Sequence, residues 1–111
     1  MESLINNALR RLGITANYRG HRQLAIAIRL VLEDEDRLYA VQQEIYRPVA
    51  EIVQSNPGSV ERNIRTVITR VWNQNRAQLN AFAGYEMTEP PKPSEFIDIM
   101  ANRVRRSCSV H

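Results

Sequence analysis

Pro48-Val49-Ala50-Glu51-Ile52-Val53-Gln54-Ser55-Asn56-Pro57-Gly58-Ser59-Val60-Glu61-Arg62-Asn63-Ile64-Arg65 is the stretch on which the fold turns. Proline is tolerated in the first turn of a helix, where its missing N–H costs nothing. Pro48 to about Gln54 therefore reads as a short helix with Val49, Ile52 and Val53 facing inward. Ser55-Asn56-Pro57-Gly58-Ser59 is the strongest turn signal in the chain. Ser59 suits the N-cap of the next helix, although Arg62 stands where a capping-box Glu would be. That helix, about 59–74, carries Val60, Ile64, Val67, Ile68 and Val71 at helical spacing. Ala50 at the packing centre of the short helix leaves room for the longer one to cross closely, so the pair has the organisation of a helix-turn-helix over about residues 46–72.

The flanking sequence is helical as well. Leu4, Ile5, Ala8, Leu9 and Leu12 define a first helix of about residues 2–12, with Gly13 placed to end it in the left-handed conformation. After a link from Ile14 to Gly20, Leu24, Ala25, Ala27, Ile28, Val31 and Leu32 mark a second helix. It runs into Glu33-Asp34-Glu35-Asp36, and four acids oppose a helix C-terminus but favour an N-terminus. A break near Glu33 or Asp34 is expected, and then a third helix with Leu38, Val41 and Ile45 buried. The acids read as a solvated capping junction, because the spaced ligands and glycine of a calcium loop are missing. A short helix near Arg76–Ala83 ends at Gly84, and Glu86 to Pro93, with three prolines, is extended. Ser94 caps a final helix through about Arg105, with Phe96, Ile97, Met100 and Val104 inward. The expected fold is all-α, a compact bundle of six or seven helices forming one domain over residues 1–111.

Composition narrows the chemistry. With 111 residues, 43% apolar and 24% charged, the chain has room for one core. It carries 15 Lys+Arg against 12 Asp+Glu, a net charge of +3, and Lys92 is the sole lysine. The arginine fork suits bidentate contact with phosphate or guanine, so the bias leans toward an anionic partner, although genomic base composition accounts for it equally well. A single cysteine, Cys108, excludes an internal disulfide and a cysteine-rich zinc site. Cys108 and His111 stand three apart, but His21 is the only other soft ligand, so no metal and no cofactor is expected. No Gly-rich phosphate loop and no nucleophile with a base and an orienter is present, which argues against an enzyme and leaves no catalytic residue to name. Neither a membrane-length apolar run nor a signal peptide appears, so a cytoplasmic setting fits.

The second motif helix has a polar side with its own logic. At about 100° per residue from Val60, the apolar set spans about 100° of arc, and the opposite side holds Arg62, Thr69 and Thr66, flanked by Arg65 and Ser59. Such a face can project arginine and hydroxyl groups into the major groove of double-stranded DNA, or it can simply be solvated. Glutamate accepts from cytosine N4 and arginine bonds guanine bidentately, so Glu61-Arg62 is able to read a C and a G; it is equally able to be a surface pair. Trp72 sits at the edge of the buried face, and Tyr46 and Tyr85 read as packing residues with polar tips.

Val60-Glu61-Arg62-Asn63-Ile64-Arg65, with Val71-Trp72 closing the same helix, resembles the recognition helix of a known family: the C-terminal DNA-binding effector domain of the master sporulation response regulator of endospore-forming bacteria. The likeness extends along the chain through Leu12-Gly13-Ile14, Arg19-Gly20 and Leu24, through Ile45-Tyr46 and Val49-Ala50, and through Phe82, Gly84-Tyr85 and Lys92-Pro93-Ser94-Glu95-Phe96-Ile97. The resemblance implies binding to a short box with the core TGTCGAA, often in tandem copies contacted by neighbouring domains. It also implies that Glu61 and Arg62 are the base-reading pair and that Arg65 faces DNA, on phosphate. The family commonly has arginine where Ser59 stands here, a departure that bears on affinity or on the outer bases of the box. Its turn is usually rich in threonine or serine, whereas Asn56-Pro57-Gly58 is stiffer. The family protein carries a receiver domain before this one, and this chain shows no such α/β pattern. It is thus expected to be either an excised part or a one-domain relative not switched by phosphorylation in cis. The rival reading is a helical interaction module that pairs with the full-length regulator or RNA polymerase without specific DNA binding.

Overall fold

The computed structural model describes residues 1–109, so His111 and the pair it would form with Cys108 lie outside the described residues. Six α-helices run in the order α1 (Glu2–Arg11), α2 (Arg19–Glu33), α3 (Arg47–Val53), α4 (Pro57–Gln74), α5 (Arg76–Ala83) and α6 (Pro93–Ser109). Between α2 and α3 lie a 3-10 segment, Glu35–Ala40, and a π turn, Gln42–Tyr46. The described residues contain no strand, and the chain is an all-α bundle.

α2 is the central helix and packs on α1, α4 and α6. Leu24, Ala27, Ile28 and Val31 are fully buried on it, as the spacing requires. Ile5, Leu9 and Leu12 meet them from α1, and Phe96, Ile97, Met100 and Val104 from α6. α1 ends where expected, with Gly13 at φ +84°. Asn75, between α4 and α5, donates from Nδ2 to the Leu12 carbonyl at 2.8 Å, tying that turn to the end of α4.

The expected third helix is not a regular α-helix. Asp34 is extended and its Oδ1 accepts from the Asp36 N–H at 3.1 Å, so the acids do cap the next segment, but that segment is 3-10 and then π. Pro48 explains the local distortion. It has no N–H to offer the Glu44 carbonyl four residues back. Arg37 replaces that donor, its Nη1 lying 2.7 Å from Glu44 O, while the Arg47 N–H reaches back five residues to Gln42 O. Leu38 and Val41 are partly buried against the core and Ile45 is fully buried.

Four further expectations are corrected. Ser59 is not the N-cap of α4: the helix begins at Pro57, and Asn56 Oδ1 accepts from the Ser59 N–H at 2.9 Å. Ile52 is 50% exposed rather than inward, because α3 turns its Val49–Ala50 side to the core. Ser94 is not a cap either. α6 starts at Pro93, the Glu95 carboxylate accepts from the Lys92 N–H at 3.1 Å, and the helix continues past Arg105 to Ser109. Tyr85 is 54% exposed and packs little, whereas Tyr46 is buried. The polar strap after Gly84 carries no helix until Pro93, as its prolines demand.

Candidate nucleic-acid interface

α3 and α4 meet through a three-residue turn. α3 stops at Gln54, whose backbone is left-handed at φ 57°, and the Ser55 N–H closes back on the Ala50 carbonyl at 2.8 Å. Asn56 then turns extended and caps α4. Ala50, 2% exposed, lies in the core with Val49 and Val60, which is the close packing that a small side chain permits. The turn is thus Gln54 to Asn56, earlier than the Asn-Pro-Gly tripeptide suggests, because Pro57 and Gly58 already belong to the helix.

Val60, Ile64, Val67, Ile68 and Val71 of α4 are all buried, with Trp72 at the edge of that face, 8% exposed. Trp72 is covered by Arg76, whose guanidinium lies 4.0 Å from the ring centre and whose Nε donates to the Trp72 carbonyl. The opposite side of α4 presents Arg62, Arg65, Thr66 and Thr69, all exposed, with Ser59 half-buried in the first turn. Burial of one face leaves the other to solvent, since the residues between these positions are the apolar ones.

The polar groups on that face are differently employed. Arg62 is exposed and forms no ion pair and no side-chain hydrogen bond among the described residues. Glu61 does not pair with Arg62, its neighbour in sequence. One turn further on, Arg65 donates to Glu61 Oε2 from Nη2 at 3.0 Å and from Nε at 3.2 Å. Adjacent helical residues diverge by about 100°, while residues four apart stack, so the spacing itself contained this partner. Thr66 and Thr69 each donate their hydroxyl to the carbonyl four residues back, Arg62 O and Arg65 O, at 3.0 Å. Their oxygens remain acceptors. Tyr46 lies beneath the ion pair, and burial together with the Glu61 carboxylate pushes its phenol up to about 12. It therefore stays a neutral hydroxyl at any physiological pH.

Beside this face lies a second group of residues that the periodicity of α4 alone does not reveal. Gly20, in the first turn of α2, touches α4 so closely that a Cβ there would fall 2.7 Å from Val67 Cγ2 and 2.9 Å from the Asn63 carbonyl. Asn63 Nδ2 donates to Gln23 Oε1 at 3.2 Å, and the Arg70 guanidinium lies 5.3 Å from the Tyr18 ring centre. Glycine at this position is a packing requirement. Among the described residues, no group of three His, Cys, Asp or Glu side chains could hold a metal ion, and no helix is long and apolar enough to cross a membrane.

Comparison with family models gives a match to the sporulation initiation factor Spo0A C terminal over residues 5–104, which reaches into every helix. That span covers the buried faces, the helix-turn-helix and the polar face of α4 together. The chain belongs to the Spo0A C-terminal family, the DNA-binding effector domains of the sporulation regulator, a family of regulatory domains and not of enzymes.

Proposed function

We propose that this chain is a sequence-specific transcription regulator that inserts α4 into the major groove and reads a CG step with Glu61 and Arg62. A single observation carries the reading: Arg62 is exposed and, among the described residues, unpaired in the second turn of α4, on the face opposite the core. Residues near the N-terminus of a recognition helix lie closest to base edges, and a free guanidinium there can take guanine O6 and N7 together. Glu61 complements it as an acceptor for cytosine N4, and Arg65 orients that carboxylate while reaching toward a backbone phosphate. Ser59, Thr66 and Thr69 line the same approach as smaller phosphate or sugar contacts. The chain acts as a single domain with its motif over about residues 46–72, and copies on tandem boxes touch one another.

The test is binding to three duplexes: the TGTCGAA box, the same box with its CG changed, and a random sequence. The expected result is a preference for the first, and a loss of about 1–3 kcal/mol in Arg62→Ala on the box with little change on the random duplex. Equal binding of the unaltered chain to all three at moderate salt refutes the reading. The second reading, a module docking on the full-length regulator or RNA polymerase, is favoured by half-exposed Ile52, which joins Ala25, Ile26 and Leu30 in an open groove between α1, α2 and α3. Equal binding to all three duplexes would leave that reading in possession.

A further inference from the structure

We propose that the groove between α4 and the Thr15–Tyr18 link with the first turn of α2 is a second DNA contact, a site for a backbone phosphate of the duplex whose bases α4 faces. This deepens the reading of α4 and rests on it. The groove encloses about 480 Å³, with Asn17, Tyr18 and Arg19 on one wall and Asn63, Thr66 and Arg70 on the other. Among the described residues, no carboxylate lines it. Several arginines elsewhere are matched to acids, Arg29 to Glu2 and Glu33, Arg37 to Glu44, Arg65 to Glu61. Arg19 and Arg70 are exposed and have neither an ion pair nor a side-chain hydrogen bond among the described residues. Two unmatched guanidiniums converging from separate elements make a field suited to an anion, and the planar fork matches phosphate oxygens.

The groove is also a built one. The Tyr18 ring backs Arg70 at 5.3 Å and limits where its guanidinium can swing. Asn63, held by buried Gln23, fixes the wall on the α4 side. The tight seat of Gly20 on α4 holds Arg19 beside that wall. Its position identifies the phosphate donor as DNA. On the α4 wheel Asn63, Thr66 and Arg70 fall at about 300°, 240° and 280°, one flank of a stripe centred near Arg62 at about 200°, with Arg65 on the other flank at about 140°. A helix in a major groove about 12 Å wide is bordered by two backbones, so each flank meets phosphates. Thr66 belongs to both the stripe and the groove, which makes the surface continuous.

The experiment measures affinity against salt for the CG box and the CG-changed duplex with the full chain, Arg19→Gln, Arg70→Gln and Arg29→Gln. Arg29 lies about half a turn around α2 from Gly20, so its substitution removes the same charge from the far side. Arg19→Gln and Arg70→Gln are expected to weaken both duplexes about equally, on the order of 3- to 10-fold, and to lower the salt slope by about 0.9 for each phosphate no longer neutralised. Arg29→Gln is expected to change neither. Arg19 is exposed, so its variant keeps the test valid if Arg70→Gln folds poorly, which circular dichroism reports. An unchanged slope in Arg19→Gln and Arg70→Gln, while the full chain still prefers the box, overturns the phosphate site and leaves the α4 reading standing. A fall in slope shared equally by Arg29→Gln overturns it as a net-charge effect. Lowered slopes in Arg19→Gln and Arg70→Gln alone, with no box preference in the full chain, support the groove while the base-reading proposal fails.

Discussion

Glu61 shows how much a single side chain's meaning depends on its neighbours. Beside Arg62 in sequence it looks like half of a surface pair, yet its partner is Arg65, and Arg62 has no partner among the described residues. The Glu61–Arg65 pair is partly exposed, so Coulomb attraction is screened and a double-mutant cycle on thermal stability should give a coupling of about 0.3–0.5 kcal/mol. A coupling well above about 1 kcal/mol would show that the pair is a structural element of α4 and not an adjustable contact. His21 offers a test of a different kind. Burial and the Arg10 guanidinium hold its imidazole below the usual 6.5. The unfolded chain therefore takes up this proton first as pH falls, so the contribution of His21 is complete above about 6.5 and declines below it. Melting the chain and His21→Gln at about pH 7.5 and about pH 5.5, on either side of that value, should show a smaller acid loss in the variant; parallel losses would refute the assignment.

The helix-turn-helix is only as rigid as its turn. The cap of α4 lies three residues earlier than the Ser59 hydroxyl suggests, because Asn56 is the better-placed acceptor and Pro57 fills the first helical position without sacrificing a donor. Asn56→Ala should therefore cost about 1 kcal/mol, read as a fall of about 4–8 °C in Tm. An equal loss in Ser59→Ala would return the cap to Ser59. Close packing makes an independent prediction. Ala50 is buried where α3 approaches α4, and Ala50→Leu should destabilise by about 1–3 kcal/mol through overpacking, whereas Ile52→Lys, on the exposed side of the same short helix, should stay within about 0.5 kcal/mol. Equal effects would mean that α3 is rotated from this arrangement. The segment before α3 belongs to this scale too: the absent proline donor is answered by Arg37 on the Glu44 carbonyl, so the path into the motif is set by a side chain from the preceding 3-10 segment.

On the scale of the whole molecule, buried residues from all six helices form one cluster, which runs from Ile5 to Val104 and includes Trp72. A single core predicts a single cooperative transition, with Trp72 fluorescence and far-UV circular dichroism melting together; separate midpoints would divide the molecule. Helices α1, α2, α4, α5 and α6 and the stop at Gly13 were legible in the sequence because they depend on contacts three and four residues apart, which a linear pattern records; the expected third helix was not, because Pro48 removes a donor from its ladder. Pattern also located α4 and its polar side, but it misplaced the caps of α4 and α6, where neighbouring candidates compete within a turn. It turned Ile52 inward and made Tyr85 a packing residue, since an apolar side chain declares a preference for burial and not whether a neighbour arrives to cover it. The sequence by itself determined an all-α chain with an arginine-bearing helix after a tight turn. Only the tertiary structure decided that Gly20 seats α2 against α4 and that Arg19 and Arg70 share one groove, because distances across a packed core are set by the shapes of surfaces that meet and leave no period in the chain.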